Sequence, residues 1–288
     1  FHGQAANLSN LSPHEAALRG AVEGWHQAFQ AIGRDRDRAI SIDLSRHRDI
    51  LDGAHCIVTY SIQDEDFHLA LSRFNKPVLA IDFCPQRAAI NAVSFASFHA
   101  GYRAARHFLD LGHRRIAFVG VLRDVTVHEP APHKVDLPES DTELAVAGFR
   151  HAFLDRGISL DEGLITKSRN SKAMAELQRL VKRPEPPTAV VSWHPDSHMN
   201  VAVVLASWGF QVPRQVSCCQ VVSQPNGSSC TAIHYDFAKV LNLAVERLHA
   251  LIEHLDAPPQ LSQIVPQFMP GDTSAPVAQA GAPAGHVR

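Results

Sequence analysis

The 288-residue sequence is short of several things, and each shortage excludes a class of protein. Its five cysteines (Cys56, Cys84, Cys218, Cys219 and Cys230) are too few and too scattered for the disulfide framework of a small secreted scaffold. Cys218 and Cys219 are adjacent in a strand-like run, where successive side chains point to opposite faces, so the two do not share one metal. All five read as buried thiols of a reducing compartment. Charge of one sign is also lacking. With 27 Lys and Arg against 29 Asp and Glu the formal net charge is -2, so no overall basic field draws this chain to nucleic acid. There is no run of about 18 apolar residues, and a transmembrane helix is not expected. The chain starts at Phe1 without a basic-then-apolar leader and reads as a piece of a longer or processed protein. No G-x-S-x-G, no G-x-G-x-x-G after a strand and no G-K-[ST] loop occurs, and the acidic residues have no paired spacing that specifies a mechanism. The expectation is a protein that is not an enzyme and uses no cofactor.

What is present is an ordinary globular composition, 45% apolar and 19% charged, in a chain long enough for one large domain or two lobes. Residues 14–32 carry Leu18, Val22, Trp25, Phe29 and Ile32 at helical spacing, with Ser12-Pro13 before them and Gly33 after. Short apolar runs then alternate with helical patterns. A strand within 52–61 precedes a helix at 65–75, a strand at 76–83, a helix at 98–112 and a strand at 115–121. Residues 122–142 break the rhythm as a long Pro- and His-rich loop. It resumes with helices at 143–156 and 171–182, a strand at 188–193, a helix at 197–208 and a strand at 216–222. A helix at 237–255 and a late strand at 262–268 complete it. Such alternation predicts an α/β protein with parallel sheets covered by helices on both faces. From Asp272 the composition turns to Ala, Gly and Pro, and 276–288 is expected to be a disordered tail.

The stretch 111–120, "LGHRRIAFVG", joins the end of a helix to an apolar strand. It resembles the corresponding motif in the ligand-sensing core of LacI/GalR-family transcription regulators. Four more segments resemble that family in the same order: "DGAHCIVTYS" with "NKPVLAIDF", "AVAGFRHAFLDRGISL", "PTAVVSWHPDSHMNVAVVLASWGFQVPRQVSCCQVV", and "TAIHYDFAKVLNLAVERLHALI" with "VPQFMPGDTSAP". The resemblance covers about residues 14–276. It implies a periplasmic-binding-protein-like fold of type I, two doubly wound parallel-sheet lobes joined by three crossovers. The lobes would be 1–121 with 234–257 and 122–233 with 262–275. It also implies a cytoplasmic homodimer that binds a small effector between its lobes at the carboxyl ends of strands, and DNA through a helix-turn-helix headpiece not found in this chain. Read physically, Gly112 suits a helix end that needs a left-handed residue, and His113 and Arg114 are placed to bind the last helix carbonyls.

The implied effector positions depart from the family. Its Asp-Asn pair falls on Phe95 and Ala96, its Arg three residues before Gly148 on Ala145, its Asn on Pro195 beside a retained Asp196, and its later Asp on Val222. Those charged and amide groups make paired hydrogen bonds to sugars and nucleobases. Two readings remain. The cleft could take a more apolar effector lined by Phe95, Ala145, Trp193 and Val222, with His194 and Asp196 also facing it, or it could be vestigial and answer to a protein partner, with loop 122–142 as support. A solute-binding protein for transport is a further alternative on the same fold.

The stretch "SWHPDSHMN" (192–200) places His194, Asp196 and His198 at alternate positions. On a strand they would share one side, as a zinc site requires. Pro195-Asp196-Ser197 reads instead as a helix start with Asp196 or Ser197 as N-cap, which removes the shared side. No metal site is expected.

Overall fold

The computed structural model describes residues 40–42, 56–60, 62, 65–86, 89–121, 125–127, 141–168, 170–193, 200–222, 229–254 and 257–277. The helix expected at 14–32, most of the loop 122–142 and the tail from 278 lie outside them. The chain divides into two compact units. One comprises the stretches up to Phe95, 123–140 and 237–264; the other comprises 96–122, 141–236 and 265 onward.

In the first unit β2 (Ile57–Tyr60), β3 (Val78–Ile81), β4 (Asn91–Phe95) and β11 (Leu261–Ile264) form a sheet in the order β11-β4-β3-β2, and every pairing is parallel. All four residues of β3 are buried, as a strand covered on both faces demands. Ile57 and Val78 pack with Phe67, Ala70 and Leu71, three side chains of helix α1 (Glu65–Ser72). Helix α6 (Phe237–Glu253) belongs to the same unit, as do the short parallel strands β1 (Ile40–Ile42) and β6 (Val125–Val127).

In the second unit β5 (Ile116–Val121), β7 (Ile165–Ser168), β8 (Ala189–Trp193), β9 (Ser217–Val222), β10 (Ala232–His234) and β12 (Gln267–Met269) are ordered β12-β10-β9-β8-β5-β7. The pairings are parallel except for β12, which runs antiparallel at the edge. Alternation along β5 sends Ala117 and Val119 to one face, where they pack with Leu177 of α4 (Asn170–Val181) and Leu205 of α5 (Val201–Ser207). Phe118 goes to the other face and meets Phe149 of α3 (Asp141–Asp155), with ring centroids 5.4 Å apart. Helices α2 (Ser97–Asp110) and α3 cross at their glycines. A Cβ on Gly101 would strike the carbonyl of Ala145, and one on Gly148 the carbonyl of Phe98.

The α/β class and the parallel sheets are as expected, and the crossings are shifted. The first, expected after residue 121, falls at 95/96. Strand β4 pairs with β3 and β11, whereas β5 pairs with β7 and β8 and α2 packs against α3. The short "NAVSF" strand carries little apolar signal, so the sequence alone points to a boundary one helix–strand step late. The second crossing, expected near 234, lies at 236/237. The third, expected near 257–262, lies at 264/265. There "SQIVPQF" is two strands and not one. Pro266, which has no N–H to give a ladder, separates β11 in one unit from β12 in the other. The tail does not begin at 276: the Val277 N–H still donates to the Leu111 carbonyl at 3.0 Å.

Candidate effector-binding residues at the strand ends

In parallel α/β sheets ligands gather at the carboxyl ends of strands, and each unit is described there in turn. In the second unit Trp193 is the last residue of β8 and stands in register with Gly120 of β5. It is buried, lies nearly parallel to Phe118 at 6.0 Å and meets Tyr235 edge-on at 5.8 Å. The Tyr235 hydroxyl is 3.1 Å from Ser97 Oγ at the start of α2. Gly120 has a packing reason: a Cβ there would overlap Thr142 Cγ2 and the Phe118 ring. Val222, the last residue of β9, is buried in register with His234, the last residue of β10, and its carbonyl accepts from the Tyr235 N–H at 2.8 Å. Gln220 on the same strand is buried and accepts from the Val201 N–H at 3.1 Å, which ties the start of α5 to the sheet. Thr166 Oγ1 on β7 is buried without a hydrogen-bond partner.

In the first unit Phe95 ends β4. It is fully buried and packs edge-on against Phe237 at 5.1 Å, and Tyr60 at the end of β2 lies 6.3 Å from that same ring. Asp82, directly after β3, holds a left-handed backbone (φ 57) and is buried. Beside it Phe83 stacks on His68 at 4.4 Å, and His68 Nε2 lies 2.8 Å from Thr59 Oγ1. Ser94 Oγ is buried and has no hydrogen-bond partner.

Of the expected site residues, Trp193 and Val222 stand at neighbouring strand ends of one unit and Phe95 at a strand end of the other. Ala145 does not line a strand end. It is fully buried, and its carbonyl lies against Gly101 in the crossing of α2 and α3. Alanine suits that crossing because a larger side chain would have to be packed where two backbones approach. His194 and Asp196 lie outside the described residues. Helix α5 is capped by Asn200, and neither Asp196 nor Ser197 holds that place: the Asn200 Oδ1 accepts from Ala202 N and Val203 N at 3.0 and 3.4 Å. Among the described residues no group of three His, Cys, Asp or Glu is placed to hold a metal ion, and no helix is long and apolar enough to cross a membrane. Sequence reasoning missed Tyr235, Phe237 and Phe118. Tyr235 directly follows a strand end, a pattern that could have found it; Phe118 lies within β5 and Phe237 opens α6, where no such signal marks them.

The 111–115 motif is a helix stop with a Schellman geometry. Gly112 is left-handed (φ 87), its N–H donates to the Leu109 carbonyl at 3.1 Å, and the His113 N–H reaches the Phe108 carbonyl at 3.0 Å. The His113 ring meets Phe108 edge-on at 5.5 Å, the apolar contact that accompanies this motif. Arg114 Nη1 donates to the Leu109 carbonyl, as expected. The His113 ring does not bind a helix carbonyl. Its Nε2 lies 2.9 Å from the Ala275 carbonyl and its Nδ1 2.8 Å from Thr188 Oγ1. Nε2 is therefore the N–H that donates to Ala275, and the ring ties the terminal segment to the sheet. Burial holds its pKa below the usual histidine range, against the pull of the Ala275 carbonyl and with the help of Arg114.

Residues 105–274, more than half of the chain, match the family model described as periplasmic binding protein-like domain. The chain belongs to this family. Within the periplasmic binding protein-like family it is 26% identical over 157 residues to the arabinose metabolism transcriptional repressor of Halalkalibacterium halodurans, covering 53% of this chain and 38% of that one. It is 23% identical over 216 residues to the HTH-type transcriptional repressor PurR of Mannheimia succiniciproducens, covering 72% and 60%. The chain thus spans less than two thirds of the length of either repressor. The fold is that of the solved LacI family transcriptional regulator from Enterococcus faecium with bound ribose (TM-score 0.62, 16% identity, 80% of this chain and 83% of that one). The LacI-type effector-core fold implied by the resemblance is the fold observed.

Proposed function

We propose that this chain is the ligand-sensing core of a LacI-family transcription regulator. The observation that carries the reading is the periplasmic binding protein-like match across 105–274, in a chain whose named relatives are transcriptional repressors. A small effector, bound at the strand ends that Trp193 and Val222 occupy, biases the protein between states of different operator affinity. That bias can be no larger than the effector's differential affinity for those states. The chain acts as a homodimer, and DNA contact belongs to a helix-turn-helix headpiece of the longer protein. The effector is more apolar than the ribose of the Enterococcus faecium regulator. Aromatic and aliphatic side chains stand where the family's hydrogen-bonding groups are implied.

The test is fluorescence anisotropy of the full-length regulator on DNA from upstream of its own gene, with and without candidate compounds. An effector-dependent change in affinity of about 5- to 150-fold is expected, the usual range of allosteric coupling. Binding to no DNA in any condition would contradict the reading. A second reading, a vestigial sensor that answers to a protein partner, is favoured by one observation. Phe95, Trp193 and Val222 are all at most 3% exposed and are packed by the protein's own side chains.

A further inference from the structure

At the amino ends of β9 and β10, opposite the strand ends described above, two cysteines come together that lie 12 positions apart in sequence. The register pairs Gln220 with Ala232, and the same register continued two residues back sets Cys218 opposite Cys230. The ladder does not continue there. The Cys218 N–H donates to the Thr273 carbonyl at 2.7 Å, the Thr273 hydroxyl donates to the Cys218 carbonyl at 2.9 Å, and the Thr231 N–H donates to Thr273 Oγ1 at 2.9 Å. Thr273 thus sits in the seam, with its Oγ1 3.5 Å from Cys230 Sγ. One hydroxyl thus bridges the two cysteines, touching Cys230 Sγ and donating to the Cys218 carbonyl. Cys219 points to the opposite face of β9 and is fully buried. Cys230 is buried beside the exposed Ser229.

We infer that Cys218 and Cys230 form a reversible dithiol–disulfide pair, a modification site whose oxidant is a hydroperoxide. The roles divide by environment. The Cys218 thiol donates toward Cys230 and, against burial, brings its pKa down to about 7. The same contact and burial push the Cys218 thiol up, so it stays protonated. Cys230 is therefore the attacking sulfur. Its thiolate takes the distal oxygen of the hydroperoxide: an S–O bond forms, the O–O bond breaks, and the leaving alkoxide or hydroxide is protonated by water. The sulfur loses two electrons and the peroxide gains them. The Cys218 sulfur then gives up its proton and attacks the sulfenic sulfur. The S–S bond forms, the S–O bond breaks and water departs. Closing the pair moves Thr273 out of the seam and loosens the terminal segment that His113 holds.

The test is a non-reducing peptide map of the chain after brief treatment with hydrogen peroxide. Expected are a loss of two hydrogens in mass, a linked peptide joining Cys218 to Cys230, and reversal by dithiothreitol. The link should persist in Cys219→Ser and vanish in Cys230→Ser. The iodoacetamide reactivity of Cys230 should rise with a midpoint near pH 7 and move upward in Cys218→Ser. A map of the wild-type chain that links other cysteines overturns the inference without any variant. So does one that carries Cys230 to sulfinic acid while Cys218 remains alkylatable, or that leaves both thiols unreacted.

Discussion

At the scale of single residues, His113 carries the most testable chemistry. Its ring is neutral when folded because it is buried and its pKa is held down, whereas the unfolded chain takes up a proton near the ordinary value of about 6.5. The stability this represents is present above about pH 6.5. It is lost as pH falls from there toward the lower folded value. Thermal melts from pH 7.5 to 5 should show a falling midpoint, and His113→Gln, which cannot titrate, should flatten that fall while lowering the midpoint at pH 7.5. His107 is also held down by burial, 2.9 Å from Ser274 Oγ, so the variant should remove only part of the pH dependence. Thr166 offers the opposite case. Its buried hydroxyl has no partner, and an unsatisfied buried polar group costs about 1–3 kcal/mol. Thr166→Val keeps the shape and should raise the midpoint in a thermal melt; a fall of several degrees would mean that the hydroxyl is satisfied in solution.

At the scale of elements, the crossing of α2 and α3 depends on the absence of a side chain. Gly148 lies against the Phe98 carbonyl, where a methyl group has no room. Gly148→Ala should destabilise by about 1–3 kcal/mol through overpacking, although alanine is the better helix former, and urea titration reads the difference directly. Stabilisation would mean that the helices are farther apart. Legibility in the sequence follows the strength of local signals. Gly112, Arg114 and the apolar run after them write a helix stop and a buried strand into ten letters, and the structure has both. Helices α1 to α4 and α6 lie within a few residues of their expected spans for the same reason. Strand β4 was missed because "NAVSF" is short and half polar, and β10 because three residues leave no period to read. Ala145 was placed from a resemblance in which an arginine reaches the effector. An alanine has no such reach, and its surroundings are set by Gly101, 44 positions away, which no local pattern reveals. The strand-end positions of Trp193 and Val222 are legible because each closes a largely apolar run.

At the scale of the whole molecule, two α/β units are built from interleaved stretches of one chain. Folding of the first unit needs residues up to 95 together with 237–264, so its contacts span most of the sequence. Homodimer formation is read by light scattering at micromolar concentration, where the dimer predicts twice the 31.5 kDa chain mass and a monomer contradicts it. The central claim is that this chain senses a small molecule at its strand ends. Its most direct test is the thermal stability of the chain across a panel of sugars, nucleosides and aromatic acids. A true effector at 100 times its Kd stabilises by about 2.7 kcal/mol, a shift of several degrees for a chain of this size. The account predicts that an aromatic or weakly polar compound gives that shift and that Trp193→Ala abolishes it. No shift from any compound of the panel would contradict it.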